Sequence, residues 1–179
     1  MMYSHDYLSP LGPLLLTSDG HHLTGLWIAG QKYHGGSIRA PLTPAPDRAE
    51  FKRVEHWLDA YFRGAKPALA DLDLAPQGTP FRQCVWQALR EIPYGQTTTY
   101  GAIARQIAEQ TGNRPVAGQA VGGAVGHNPI SIIIPCHRVV GSSGSLTGYA
   151  GGLHRKLRLL ALEGVDTTAF FLPRKSTAA

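Results

Sequence analysis

The sequence predicts an α+β fold in two parts, a strand-bearing N-terminal part with one helix and a mostly helical C-terminal part beginning at Thr79. Three observations carry this expectation. Short apolar runs separated by turn residues occupy positions 14–28. From residue 47 onward, apolar residues recur at helical rather than alternating spacing. The charge is also uneven, with ten basic and four acidic residues from Thr79 on, against seven and eight before it. A basic half beside a near-neutral half suits contact with a polyanion, most simply nucleic acid, and equally suits a solvated basic surface.

The 179 residues allow one well-cored domain or two small ones, and 43% hydrophobic with 16% charged residues is ordinary for a folded chain. No run reaches the roughly 18 apolar residues of a membrane span. The N-terminus lacks a basic start followed by an apolar core, and two cysteines are too few for a disulfide framework. A reducing, cytoplasmic setting is therefore expected.

Taken in order, Leu14–Thr17 and Leu23–Ile28 flank Ser18-Asp19-Gly20-His21-His22 and predict an antiparallel hairpin. His21 and His22 have no cysteine or carboxylate set around them, so no metal is implied. Pro41 to Pro46 is a loop. Phe51, Val54, Trp57, Leu58 and Tyr61 give an amphipathic helix over 47–63, ended by Gly64. The domain boundary is placed near Gln77-Gly78, giving domains 1–78 and 79–179. Thr79-Pro80 is an N-cap with proline in the first helical position, and Phe81, Val85, Ala88 and Leu89 form the apolar face that follows. Thr98 or Thr99 caps a helix that turns Ile103 and Ile107 inward. Residues 116–125, rich in glycine and alanine, form a thin second helix. The pair resembles a helix-turn-helix, and would equally fit an αα-hairpin in a core. Ile130–Ile134 is a β-branched run stopped by Pro135, expected as a short buried strand or extended segment. Leu153, Leu157, Leu160 and Ala161 mark the last helix, with Gly164 at its end. Residues 165–179 are expected to be a loosely held tail.

Cys84 reads as a small buried hydrophobe inside a helix. Cys136 is bracketed by Pro135, His137 and Arg138. A thiol becomes a good nucleophile only on losing its proton, which a nearby imidazole or cation favours, and Glu163 is a candidate to orient that imidazole. On these residues alone Cys136 is an activated thiol that would equally suit a cysteine peptidase or a redox enzyme.

Pro135-Cys136-His137-Arg138-Val139, with Gly126-His127-Asn128-Pro129 before it and Gly148-Tyr149-Ala150-Gly151-Gly152 after it, closely resembles the O6-alkylguanine-DNA alkyltransferases. The likeness runs from Thr79 to Gly164. It is weaker before that, resting on Pro10-Leu11-Gly12-Pro13 and the hairpin-then-helix order. The resemblance implies an N-terminal α/β domain of ribonuclease-H-like type and a helical C-terminal domain with a winged-helix-like helix-turn-helix. It implies a methylated-DNA–protein-cysteine methyltransferase that needs no cofactor and acts once. Cys136 would take the alkyl group from O6-alkylguanine, and from O4-alkylthymine, in double-stranded DNA after the base is flipped out. His137 would take the thiol proton through a water, Glu163 would hold the imidazole, Asn128 would brace the turn, and Tyr100 would protonate guanine N3. Val139, Tyr149, Ala150 and Gly151 would line the base pocket. Thr99, Gln119, Ala120, Gly122, Gly123 and Arg138 would meet DNA. The chain is expected to act as a monomer, with cooperative binding along DNA left open.

One departure stands out. Gln119 occupies the place before Ala-Val-Gly-Gly where the family usually carries an arginine that fills the gap left by the flipped base. The loop over 109–118 is also longer than usual, and Arg114 is the alternative source of that charge. Three rival readings remain. A damage sensor of the same fold would lack Cys136. A transcription regulator would not explain Pro-Cys-His-Arg. A hydrolase would turn over repeatedly.

Overall fold

The computed structural model describes residues 1–173. The chain divides into two compact units, one formed by residues 1–78 together with Pro129–Ile133, the other by Thr79–Asn128 and Ile134 onward.

The first unit is a four-stranded sheet in the order β3-β2-β1-β4 with one helix on it. The expected hairpin is present as β2 (Gly12–Ser18) and β3 (Leu23–Ile28), antiparallel with Leu16 opposite Leu26. Asp19 shapes the connecting turn by accepting from the amides of His21 and His22. A third strand, β1 (Met2–Ser9), pairs antiparallel with β2 on one side and parallel with the short β4 (Leu42–Pro44) on the other. Helix α1 (Ala49–Phe62) buries Phe51, Val54, Trp57, Leu58 and Tyr61, the stripe read from the sequence, and Gly64 follows it in the left-handed region at φ 85°. Leu14, Leu16, Leu26 and Ile28 line the sheet side of the core with no more than trace exposure. Burying each such side chain contributes about 1.5–3 kcal/mol.

The second unit is mostly helical. In α2 (Pro80–Arg90) the Thr79 hydroxyl accepts from the Arg82 amide, and Val85, Trp86, Ala88 and Leu89 are buried. Phe81 is not part of that face, being 37% exposed at the first turn. Cys84 is exposed, against expectation, because it falls outside the buried stripe of Val85, Trp86, Ala88 and Leu89 on α2. Thr99 caps α3 (Tyr100–Gln110) through the Ala102 amide. Gly112 and Asn113, both left-handed, end it. Helix α4 (Gly118–Gly126) packs against α2 and α3, and the Trp86 indole N–H donates to the Ala124 carbonyl at 2.9 Å. Strands β5 (Thr98–Thr99) and β6 (Val139–Val140) form a two-residue parallel pair. In α5 (Leu153–Leu162) the buried stripe is Lys156, Leu159 and Leu160, while Ala161 faces solvent.

Two further expectations are corrected. Residues 130–134 do not form a strand. Ile130 makes a single bridge to Leu26, and Ser131–Ile133 are a turn with Ile132 at φ 71°. The β-branched preference for strands is overridden by tertiary contacts, since Pro129 and Ser131 both bond to Leu26 and the chain then turns at Ile132. The start of the expected loose tail is tied down. Phe170 packs against Val140, Leu146 and Leu160, and Phe171 bridges Ser145. The rest of that tail, from residue 174, lies outside the described residues. Among the described residues no helix is long and apolar enough to cross a membrane.

Candidate active site

Cys136 opens a short 3-10 turn, Cys136–Arg138, and is 4% exposed. The chain reaches it through two very tight bends. At Ile132 the Ile133 amide donates back to the Ser131 carbonyl at 2.8 Å around a left-handed residue, a strained γ-turn. At Pro135, with φ −82° and ψ 63°, the Cys136 amide donates to the Ile134 carbonyl at 2.8 Å, the favourable inverse form. A buried β-branched residue at positive φ costs about 1–3 kcal/mol and persists only where its surroundings over-determine it. Asn128 closes the bend. Its amide nitrogen donates to the Ile134 carbonyl at 2.8 Å and to Cys136 Sγ at 3.2 Å. It therefore braces the turn and also supports negative charge on sulfur. Burial pushes the Cys136 thiol above its ordinary value, and the Asn128 bond and the charge of Lys156 recover only part of that. At rest the residue is a thiol, and the thiolate has to be made during reaction.

Glu163, the cap residue that closes α5, holds the His137 imidazole. Its Oε1 lies 2.7 Å from His137 Nε2, and neither side chain has any exposed surface. Arg138 donates to the same carboxylate through Nε at 2.8 Å and Nη2 at 3.0 Å, and the Gly95 amide adds a bond at 3.2 Å. Burial pushes the Glu163 carboxyl up, but the bonds from His137 and Arg138 outweigh it and hold it well below the carboxylate range. A carboxylate held ionised can only accept, so His137 Nε2 carries the proton and Nδ1 keeps its lone pair. Burial lowers the His137 pKa against the pull of Glu163, so the ring is neutral and able to take a proton. Arg138 is thereby relocated. Expected on the DNA face, it is 7% exposed and engages Glu163 and the Ile92 carbonyl, because a buried carboxylate needs a compensating charge.

A second group of residues surrounds the sulfur. The Tyr100 hydroxyl donates to the Thr147 carbonyl at 2.8 Å, and burial together with the Cys136 sulfur pushes its pKa up to about 12. Gly148 is left-handed, and a Cβ there would sit 2.6 Å from that hydroxyl, so glycine is required twice over. Tyr149 and Gly151 are buried and Ala150 half-buried. The Tyr149 hydroxyl has no hydrogen-bond partner among the described residues. Lys156 is completely buried, with its ammonium on the carbonyls of Val139 and Thr147, the latter at 3.0 Å. Burial lowers its pKa to about 8 against the attraction of the Cys136 sulfur. The expected DNA-facing residues Gln119, Ala120 and Gly123 are exposed at the start and along α4, and Gly122 is half-buried. Thr99 spends its hydroxyl on capping α3.

Known proteins resemble this chain. The family model for the 6-O-methylguanine DNA methyltransferase DNA-binding domain matches residues 80–165, and that for the ribonuclease-like domain of the same methyltransferases matches residues 2–76. The chain belongs to the 6-O-methylguanine DNA methyltransferase family. Among its relatives, the methylated-DNA–protein-cysteine methyltransferase of Mycobacterium leprae is 46% identical over 91% of this chain and 93% of its own length. That of Haemophilus influenzae is 44% identical over 92% and 87%. The crystal structure of Mycobacterium tuberculosis OGT in complex with DNA is 45% identical, covers 94% of each chain and superposes with a TM-score of 0.75. In this member of the family the sequence reading missed Lys156 and Trp86. Lys156 lies three residues after Leu153 and four before Leu160, so a lysine on the apolar stripe of α5 was the available signal. Trp86 adjoins Val85 on α2, where a wide apolar face would have included it.

Proposed function

We propose that this member of the 6-O-methylguanine DNA methyltransferase family repairs DNA by direct reversal, moving the alkyl group from guanine O6, and from thymine O4, onto Cys136 and keeping it there. One observation carries the assignment of Cys136, the convergence on one buried turn of Asn128 at Sγ and of an imidazole fixed by Glu163 on the adjacent residue. Cys136 is too enclosed to reach a stacked base, so the damaged nucleotide has to leave the duplex, at a cost of a few kcal/mol that is smaller for a weakened pair.

In the reaction the thiol proton passes through a water to His137 Nδ1, while Glu163 stabilises the imidazolium. Sulfur forms a bond to the alkyl carbon as the carbon–oxygen bond breaks, and that electron pair stays on guanine. Tyr100 offers its proton to ring N3 of the departing base and regains one as the imidazolium gives up its own. The sum is a thioether on Cys136 and a neutral guanine protonated at N3, which becomes ordinary guanine when that proton is exchanged through water for one on N1. The Asn128 bond stabilises the developing thiolate, and Lys156, held by the Val139 and Thr147 carbonyls, supplies positive charge nearby. Tyr149, Ala150 and Gly151 form the pocket wall. A thioether has no leaving group that the site could expel, so the reaction occurs once. The exposed face of α4, from Gln119 to Gly123, meets the DNA, and its small residues allow close approach to the backbone without reading sequence. A cytoplasmic location and a monomeric state belong to the same reading.

The test is label transfer from duplex DNA carrying labelled O6-methylguanine. Wild type and Cys84→Ala take up the label and Cys136→Ala does not. Transfer that survives in Cys136→Ala contradicts the assignment.

A further inference from the structure

The segment between Asn128 and Ile134 belongs, by its contacts, to the N-terminal unit. The Leu26 amide in β3 donates to the Pro129 carbonyl at 2.8 Å, and the Ser131 amide donates back to the Leu26 carbonyl at 2.9 Å. Gln31, just after β3 and 6% exposed, completes the hold. Its side-chain carbonyl accepts from the Ile28 amide at 2.6 Å and from the Ser131 hydroxyl at 3.1 Å. The strained turn at Ile132 follows directly. The two residues that flank the clamped segment, Asn128 and Ile134, are the ones that Asn128 Nδ2 joins, and the same nitrogen reaches Cys136 Sγ.

We infer that Gln31 is a positioning residue for alkyl transfer. By clamping Ser131 to the end of β3, it holds Ile132 in its left-handed turn and so fixes the short path that sets Asn128 against the Cys136 sulfur. This restraint passes along the chain itself. A left-handed isoleucine without its clamp relaxes toward ordinary backbone, which lengthens the span between Asn128 and Ile134 and loosens the bond to sulfur. The inference rests on the proposed alkyl transfer for its rate readout but not for its second readout, the reactivity of Cys136 toward iodoacetamide. The groups that act on that thiol besides Asn128 are Lys156 from α5, Tyr100 from α3, and Tyr149 and His137 from the turns beside it, and all are left unchanged.

The experiment compares full-length Gln31→Leu and Gln31→Glu in a Cys84→Ser background, which removes the exposed second thiol. Glutamate keeps the acceptor and leucine removes it. Gln31→Leu is expected to bind DNA with unchanged affinity but to transfer the methyl group more slowly at saturating DNA, by on the order of tenfold to a hundredfold, the scale of a slightly misplaced nucleophile. Its iodoacetamide profile is expected to move to higher pH, because the thiolate loses the Asn128 bond. Gln31→Glu is expected to restore both. Wild-type rate and profile in Gln31→Leu overturn the inference. So does equal damage in both variants accompanied by lost DNA affinity, which marks general unfolding. If Gln31→Leu does not fold, Ser131→Ala removes only the hydroxyl held by Gln31 and is read by the same three quantities. Absence of methyl transfer in the Cys84→Ser parent, whose Gln31 is intact, would refute the proposed function while leaving the iodoacetamide comparison to decide the clamp.

Discussion

In the proposed reaction two requirements oppose each other at Cys136, since a site that takes a flipped base excludes water and the thiol has to ionise to attack it. Burial alone pushes the thiol up, so the proton acceptor has to be equally protected and yet neutral. Glu163 makes that possible by remaining ionised between His137 and Arg138. Its folded-state value is depressed, so its contribution to stability is present above the ordinary carboxylate value of 4.5 and is lost as the pH falls below it. Glu163→Gln leaves Arg138 buried without its counter-charge and is expected to cost about 3–5 kcal/mol in denaturant unfolding at neutral pH. The same variant should lose less stability between pH 5 and 3 than wild type. In the proposed reaction His137 is the base that sets the rate. Its value lies below the ordinary 6.5, so single-turnover transfer should stay level down through pH 6.5 and decline only at lower pH, as the ring gains a proton. A decline centred above 6.5 would assign the base elsewhere.

The helices that present the DNA face depend on side chains that point away from it. Trp86 on α2 holds α4 through its bond to the Ala124 carbonyl. Trp86→Phe leaves that buried carbonyl without the indole and should destabilise the chain by about 1–3 kcal/mol, measured by denaturant unfolding. Gln119, at the exposed start of α4, is uncharged, and in the proposed complex it faces a negative groove. Gln119→Arg should bind DNA more tightly, with the log–log salt dependence steeper by about 0.9, while the transfer rate at saturating DNA stays unchanged. Elements announced by local chemistry were legible in the sequence. The β2–β3 hairpin, the Thr79 and Thr99 caps and the stripe of α1 all follow from turn residues and spacing. Strand β1 was not legible, because Met2–Ser9 mixes Tyr, His, Asp and Ser and draws its stability from pairing on both edges. Nor was the turn at Ile132, where a run of isoleucines imitates a strand and only tertiary contacts make it bend.

Across the whole molecule, the reactive residues were readable because they are close in sequence, whereas their supports come from elsewhere in the chain. Cys136, His137 and Arg138 are consecutive, but Arg138 turns inward to Glu163, 25 residues on, a partner that spacing does not reveal. Lys156 was hidden for the same reason, since its acceptors are backbone carbonyls of distant residues. The chain also leaves the helical unit after Asn128 and rejoins it at Ile134, a change of partner that no local sequence pattern announces. The two cysteines differ in a way that makes the central claim measurable, with Cys84 exposed and lacking a nearby base, and Cys136 buried among Asn128, His137 and Lys156. The most direct measurement is mass spectrometry of the intact protein, followed by peptide mapping, after incubation with a large excess of O6-methylguanine duplex. One methyl group per molecule, on Cys136 and none on Cys84, is the expected result. More than one group per molecule, a methyl on Cys84, or guanine restored in excess of protein would contradict the account.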